Sequence, residues 1–522
     1  MSRYQQSSNA PRRSADQHLQ LVKIAGILTG LACVAHLFIG ADPIVVIVAG
    51  LTFMLSICPI ALCGFLNLGA VLMALVGFRY VGFPIFAKLA MGQPLNSNLL
   101  DPEGAFVTVL LGMVGYLAAF ACALKLPVGR PVLKPAGSEV EMGRISFLAA
   151  IVGVAAAAAV SARAGQGHTG TSAPDFFVNF LDLALIGSFA RNIISSRRQL
   201  LDWRIWSLVA AVGAIVMVRN SRSAFVDVFL CFAATKMAFD AKVNWKPLAA
   251  TGAAVALVIV VITPVFLYVR NFRAKLSWCQ LITDTLHAGA DWGDSMSRYL
   301  VESRLVGKSD GWFLRYYGAP ANILERLSLV NHVDVLKAGS DNYGGFGGRD
   351  LRIAFEAAVP RILAPNKPRG YSQGDWLYSS IGFQTHLGGY STAPLIGEGY
   401  AAFGWPGAFC YPFLMGFAML LLIKKICGWD LRGNLWAIFL LISMHNLFVE
   451  GDSADYVVSV LRTLPQDMVL MWLMMMVSAI HLTLPLRKAK LGLMPGDCRN
   501  RAFRHCVAGP GAMAAKRGFR LP

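Results

Sequence analysis

Stretches of roughly 20 predominantly apolar residues recur along this chain, and they constrain its fold more than any other feature. Each stretch is long enough to cross about 30 Å of hydrocarbon as a helix, whose internal hydrogen bonds satisfy the backbone where no water is present. The runs lie at about 20–40, 43–62, 65–87, 104–124, 144–163, 174–195, 204–218, 223–240, 248–269, 395–423, 435–450 and 465–485. The sequence therefore predicts an all-α, polytopic membrane protein with about twelve transmembrane helices.

The composition agrees with this class of protein. Of 522 residues, 56% are hydrophobic and only 15% are charged. The net charge of +18 is unusual, but the lysines and arginines are spread over short links and form no continuous basic stripe of the kind that binds nucleic acid. We therefore expect the lipid bilayer as a partner and exclude nucleic acid.

The positions of the basic links predict the orientation, because short cytoplasmic loops of membrane proteins are enriched in lysine and arginine. With the N-terminus in the cytoplasm, the basic links all fall on the cytoplasmic side: 125–144, 191–204, 236–246 and 424–432. The alternate links carry few cations and fall outside: 88–103, 164–173 and 451–464. This arrangement predicts that both termini are cytoplasmic.

The spans and their orientation divide the chain into five parts. These are a cytoplasmic N-terminal tail at 1–18, transmembrane helices 1–9 at 19–269, a large periplasmic loop at 270–394, transmembrane helices 10–12 at 395–485, and a basic cytoplasmic tail at 486–522. The large loop lies between helices 9 and 10 and follows an odd number of spans, so it faces outside. Its apolar residues at helical spacing and its many aromatic residues predict a folded layer at the membrane interface.

Arginines on the outer side are the main chemical signal, since topology gives no reason for them there. Arg219 and Arg222 flank a short outer turn, and Arg270 and Arg273 follow the ninth span. Guanidinium groups suit a bidentate grip on phosphate oxygens. The alternative is that these arginines reach the lipid headgroups and anchor the ends of the spans.

The segment "VPRILAPNKPRG" places two more cations, Arg361 and Lys367, in a backbone that is restricted by prolines. They are candidate phosphate ligands, or else ordinary charges on a surface loop. Two residues are candidate general bases. Glu398 lies near the outer end of the tenth span, where a carboxylate is costly unless it is paired or used, and His386 titrates near neutral pH. No metal-ligand spacing and no nucleotide-binding motif is present, so we expect neither a metal nor a cofactor.

The chain resembles the Wzy-type polymerases of bacterial surface polysaccharides, which are akin to the O-antigen ligases. The resemblance rests on the many spans, the large outer loop, "RNSRSAF" after a span, and "AVPRILAPNKP" leading to "LIGEGYAAFGWPG". It is strongest over about 204–423.

The resemblance implies an enzyme of the bacterial inner membrane that joins oligosaccharide repeat units carried on undecaprenyl pyrophosphate. The reaction would be a metal-independent glycosyl transfer on the outer face, with a flippase and a chain-length regulator as companions. Arg222 matches the arginine of the family's turn, Arg270 matches a cation at the start of the loop, and Glu398 or His386 would be the base. An O-antigen ligase and a transporter or flippase of lipid-linked sugars remain the alternatives.

Overall fold

The computed structural model describes residues 11–163, 177–195, 203–219, 223–240, 278–298, 327–359, 373–382 and 393–479, together with a few short pieces between them. Within these ranges every regular element is a helix, and the extended pairing consists of one bridge between Asn67 and Asp430. The all-α prediction is therefore confirmed for the part of the chain that the structure describes.

The helices follow one another with short links. In chain order they are α1 Pro11–Phe38, α2 Pro43–Cys63, α3 Leu68–Gly77, α4 Phe83–Ala90, α5 Pro102–Lys125, α6 Glu139–Arg163, α7 Phe180–Ile194, α8 Trp203–Arg219, α9 Ser223–Phe239, α10 Trp278–Ala290, α11 Val330–Tyr343, α12 Arg349–Ala358, α13 Gln373–Ser380, α14 Leu395–Cys427, α15 Leu435–Glu450, α16 Ser453–Val458 and α17 Leu464–Ala479. Two π turns, Phe78–Gly82 and Ser459–Thr463, make α3–α4 and α16–α17 continuous.

Seven helical stretches are long and apolar enough to cross a membrane, and they make this a multi-pass membrane protein. They are His18–Phe38, Pro43–Cys63, Leu68–Ala90, Pro102–Lys125, Glu139–Ala159, Leu395–Cys427 and Ser453–Ala479. The apolar runs predicted at 174–195, 204–218, 223–240 and 435–450 coincide with helices α7, α8, α9 and α15, which are 15 to 17 residues long. Most of the run predicted at 248–269 lies outside the described residues.

One end of the bundle, called the basic end here, brings together two of the basic links, 125–144 and 424–432. The Lys424 ammonium donates hydrogen bonds to the carbonyls of Ala123 and Leu126 at 2.8 and 2.9 Å, where it caps the C-terminus of α5. The Leu68 N–H donates to the Trp429 carbonyl at 2.8 Å. These bonds connect the links after α2, α5 and α14 at this end of the bundle.

The opposite end, called the insert end here, receives α11 and Tyr316 of the hydrophilic segment between α9 and α14. Lys337 in α11 contacts Asp101, which caps the N-terminus of α5, at 2.6 Å. The Asn98 amide donates to the Tyr316 carbonyl at 3.1 Å. Helix α11 and Tyr316 therefore lie at the end of α5 that is opposite to the links 125–144 and 424–432.

The apolar run predicted at 395–423 corresponds to helix α14, but the helix has a bend that the sequence did not indicate. The backbone leaves the helical region at Phe403 (φ −140°, ψ 20°) and Gly404 (φ 66°, ψ −148°), so two limbs, 395–402 and 405–427, meet at a bend. Gly399 and Gly407 lie against each other across it, because a methyl group on Gly407 would come within 1.9 Å of the Gly399 carbonyl oxygen. Both limbs are apolar, so hydropathy alone reads them as one helix.

The bend reverses the direction of the chain relative to α5. A side chain on Gly112, in the middle of α5, would meet Ile396, and one on Gly115 would meet the Phe409 carbonyl. The limb 395–402 therefore begins beside the middle of α5. It rises to the insert end, where Tyr400 reaches α11, and the limb 405–427 then descends to the basic end.

A second correction concerns the predicted outer link 451–464 and the span at 465–485. Helix α16, the π turn and α17 form one helical stretch from Ser453 to Ala479. Two residues therefore connect it to α15 in place of the predicted link. The polar residues at its start lowered the local hydropathy, but they are satisfied inside the bundle. The Tyr456 hydroxyl, for example, lies 2.8 Å from that of Tyr116. At the other terminus, α1 begins at Pro11, inside the predicted tail 1–18.

We expect Gly407→Ala to lower the free energy of unfolding by about 1–3 kcal/mol, because the new methyl group must push the two limbs apart. Thermal unfolding of the purified protein measures this. Gly30→Ala in α1 is the matched control, since an added Cβ there meets nothing within 4 Å. Equal unfolding midpoints for the two variants would contradict the tight limb contact.

Candidate functional site

The structure describes few of the side chains that the sequence singled out. Arg222, Arg270, Arg273, Arg361, Lys367 and His386 lie outside the described residues. Arg219 is the last residue of α8, and its side chain is also outside them. The convergence of these cations therefore stays a prediction, and Glu398 is the candidate whose surroundings can be described.

Glu398 lies in the first turn of the limb 395–402 and has no exposed surface. One carboxylate oxygen accepts a hydrogen bond from the Ser453 N–H and the other accepts one from the Ser453 hydroxyl, both at 2.6 Å. The side chain therefore joins the limb to the N-terminus of α16. In this conformation its oxygens do not face solvent, although a general base must reach an acceptor hydroxyl.

A second buried carboxylate lies next to this joint. Asp350, in the first turn of α12, accepts a hydrogen bond from the Tyr411 hydroxyl at 2.7 Å. Tyr411 belongs to the limb 405–427, so α12 is attached to α14 below the bend. Glu398 and Asp350 thus tie the two limbs of α14 to different neighbours, and neither carboxylate is exposed.

The main ionisable cluster at the insert end is centred on Lys337. Its ammonium lies 2.6 Å from the Asp101 carboxylate and 2.7 Å from that of Asp341, one helical turn further along α11. The second oxygen of Asp341 accepts a hydrogen bond from the Tyr400 hydroxyl at 3.0 Å. The cluster therefore joins the start of α5, helix α11 and the bend of α14.

The electrostatics of this cluster favour its charged form. Burial opposes the charge on Lys337, but its hydrogen bonds to Asp101 and Asp341 outweigh burial and raise the pKa of the ammonium. Burial likewise opposes the charge on Asp101, but Lys337 and the Gly104 N–H hold the pKa of that carboxyl below its ordinary value. The lysine and the two carboxylates therefore form one ionic unit near neutral pH.

Asp334, one helical turn before Lys337, also binds the link that precedes α5. Its carboxylate accepts hydrogen bonds from the backbone N–H groups of Leu100 and Asp101 at 2.7 and 2.8 Å. Burial raises its pKa to about 6, although these two donors oppose the shift. Helix α11 thus fixes the backbone of the link before α5 as well as the side chain of Asp101.

Sequence reasoning missed two cations of the α3–α4 stretch. Arg79, in the first π turn, pairs with Glu450 and donates to the Leu327 carbonyl at 3.2 Å. Lys88 donates to the Ser97 hydroxyl at 2.7 Å, and its ammonium lies 3.9 Å from the centre of the Tyr316 ring. A cation inside an apolar run was the available signal, because burying one requires a partner.

Within the described ranges, no group of three or more His, Cys, Asp or Glu side chains is arranged to hold a metal ion. Comparisons of the chain with protein-family models, with curated proteins and with solved structures return no match. The fold and the cluster thus define a multi-pass helical membrane protein with a charged and aromatic assembly at one end of its bundle.

We expect Lys337 and Asp101 to be energetically coupled. In a double-mutant cycle with Lys337→Met and Asp101→Asn, the coupling free energy should be about 1 kcal/mol, since the ammonium is largely shielded from water while the carboxylate is half-exposed. The measurement is thermal or denaturant unfolding of the purified protein.

The pH dependence and a second pair provide controls for this cycle. The coupling should be complete above the ordinary carboxyl pKa of 3.8 and be lost as the pH falls further, toward the lowered pKa of folded Asp101. Arg352 and Glu356 in α12 form an exposed pair at 2.9 Å, so the cycle of Arg352→Met with Glu356→Gln should give less than about 0.5 kcal/mol. Equal couplings for the two pairs would refute the central role of Lys337.

Proposed function

We propose that this protein is a membrane glycosyltransferase that polymerises undecaprenyl-pyrophosphate-linked oligosaccharide repeat units into surface polysaccharide. In this proposal the chain spans a bacterial inner membrane about twelve times and both termini are cytoplasmic. The segment 270–394 faces outward, and a flippase and a chain-length regulator act beside the enzyme.

The observation that carries the proposal is the separation of the two ends of the bundle. Two basic links, 125–144 and 424–432, meet at one end, and short basic links favour the cytoplasm. Helix α11 of the insert, with its charged and aromatic cluster, lies at the other end of α5. An outward-facing assembly of this kind suits lipid-linked sugars, which the resemblance implies are joined outside.

The proposed chemistry is a direct glycosyl transfer. The bond between the anomeric carbon of the growing chain and its pyrophosphate breaks, and a new bond forms from that carbon to a sugar hydroxyl of the next repeat unit. The hydroxyl proton passes to a base, either Glu398 or His386, and undecaprenyl pyrophosphate leaves with the bonding electrons. Six outer cations would stabilise that leaving group: Arg219, Arg222, Arg270, Arg273, Arg361 and Lys367.

Glu398 could serve as the base only after its contact with Ser453 opens, because the side chain is completely buried in that contact and an acceptor hydroxyl cannot reach it. The limb 395–402 would then have to move relative to α16. His386 needs no such movement to be a candidate, since it belongs to the outward segment by sequence.

A transporter of lipid-linked sugars is the second candidate, and the bend in α14 favours it. Transporters often bind their substrates at discontinuous helices near the middle of the membrane. The limb 395–402 begins beside the middle of α5, as such a helix would. An O-antigen ligase would share the chemistry of the polymerase and differ in its acceptor.

Deletion of the gene, followed by gel analysis of the surface polysaccharide, distinguishes these functions. We expect single repeat units without a ladder, because the units can no longer be joined. A full ladder that stays on its carrier lipid would indicate a ligase instead. Loss of all outward lipid-linked units would indicate a transporter.

Complementation of the deletion strain tests the proposed cations. Arg222→Ala, Arg270→Ala and Arg361→Ala should each lower the amount of polymer at least about 100-fold, as expected for loss of a group that stabilises developing charge. Arg352→Ala is the matched control, since this exposed arginine of α12 has no role in the proposal and should restore the full ladder. A full ladder with all three variants would refute the assignment.

A further inference from the structure

Trp405 stands at the bend of α14, directly after the break at Phe403 and Gly404. The residue is 41% exposed, yet its ring is held in place. The Tyr400 ring packs against it edge to face, with centres 5.0 Å apart and planes at 83°. The indole therefore offers an accessible aromatic surface in a defined position.

Two half-exposed carboxylates contact Lys337, whose ammonium lies near this ring. The side chains of Asp101 and Asp341 are 42% and 46% exposed, and each directs one oxygen to Lys337. The other oxygens accept from the Gly104 N–H and the Tyr400 hydroxyl, both at 3.0 Å. An ionised carboxylate has about four acceptor positions, so both groups can accept further hydrogen bonds from a ligand without losing these partners.

Lys337 holds the aromatic and the acidic groups around one point. Its ammonium lies 5.2 Å from the centre of the Tyr400 ring and 5.7 Å from that of Trp405, while the two carboxylates contact it directly. The lysine side chain itself is only 7% exposed. The buried lysine therefore fixes the acceptors, while Trp405 and the carboxylates stay partly exposed.

This combination fits a neutral sugar ring. A pyranose has an apolar C–H face that packs on an aromatic ring, and its rim of hydroxyl groups donates hydrogen bonds to carboxylates. Two exposed carboxylates disfavour a phosphate or an acidic sugar, because like charges repel each other. The arrangement also differs from that of a tryptophan that merely anchors a helix at the membrane surface, which needs no fixed acceptors beside it.

We propose that Trp405, Asp101 and Asp341 form a binding subsite for a neutral sugar residue of the oligosaccharide, with Tyr400 and Lys337 as positioning residues. The subsite rests on the proposed function for its place in the reaction, since it would hold a repeat unit at the insert end while the chain is transferred. Its existence as a binding site is measurable without any turnover.

The test is calorimetric titration of the purified full-length protein in lipid nanodiscs. The probe is the pool of neutral oligosaccharides obtained by partial acid hydrolysis of the surface polysaccharide of the host strain. We expect Trp405→Ala to weaken binding roughly tenfold, as for loss of an aromatic contact, and Trp405→Phe to restore part of the affinity. Asp341→Asn should weaken binding as well, since an amide accepts fewer hydrogen bonds.

Trp472→Ala is the matched control, because Trp472 in α17 is also 41% exposed and belongs to no such cluster. It should bind the oligosaccharides as the unchanged protein does. Unfolding midpoints of all variants show whether each one is folded. Equal affinity for Trp405→Ala and the unchanged protein would make Trp405 an anchor and overturn the subsite. Absence of binding to the unchanged protein would also overturn it.

The subsite and the polymerase proposal fail in different ways. If deletion of the gene leaves the polysaccharide ladder intact while Trp405→Ala loses affinity, the polymerase proposal falls and the sugar subsite stands. If deletion removes the ladder and Trp405→Ala binds normally, the enzyme stands and the subsite falls. The affinity for oligosaccharides therefore tests the subsite, and the length of the polymer tests the reaction.

Discussion

The insert end depends on the contact between Gly399 and Gly407, where the two limbs of α14 touch backbone to backbone. No side chain larger than hydrogen fits between them, and the left-handed backbone of Gly404 lets the chain turn between the limbs. This contact places Glu398 beside α16. It also brings Tyr400 and Trp405 to α11, so one local reversal positions both groups of ionisable side chains.

Several ionisable groups in the described part of the bundle have partners where they lie, which offsets the cost of burying them among apolar helices. Lys337 contacts two carboxylates. Lys424 donates hydrogen bonds to carbonyls at the end of α5. Arg79 pairs with Glu450 across two helices. These interactions add specific contacts between helices to the apolar packing. The contact between Lys337 and Asp101 holds α11 at the start of α5.

The fixed carboxylates and the bend also bear on how the proposed enzyme would work. A transferase must hold an acceptor sugar while the pyrophosphate leaves, so a rigid sugar subsite and the proposed set of cations would divide these tasks. Glu398 belongs to neither group in this conformation, because it is completely buried against Ser453. Its use as a base would couple the chemistry to a movement of the limb 395–402.

The length and hydropathy of the apolar runs were enough to predict an all-helical membrane protein, because a span must be about 20 apolar residues long whatever its neighbours are. The apolar runs also predicted the positions of most described helices, such as α2 and α5. The sequence also singled out Glu398, since a carboxylate in an apolar run must find a partner. Ser453, the partner itself, did not follow from the sequence.

Only the tertiary structure decided the reversal within α14, the start of the last span at Ser453 and the assembly around Lys337. A bend between two apolar limbs leaves the hydropathy pattern unchanged. Lys337 and Asp101 stand 236 positions apart, so no local spacing records their contact. Local sequence determines which segments enter the bilayer, whereas the pairing of buried charges depends on which helices become neighbours.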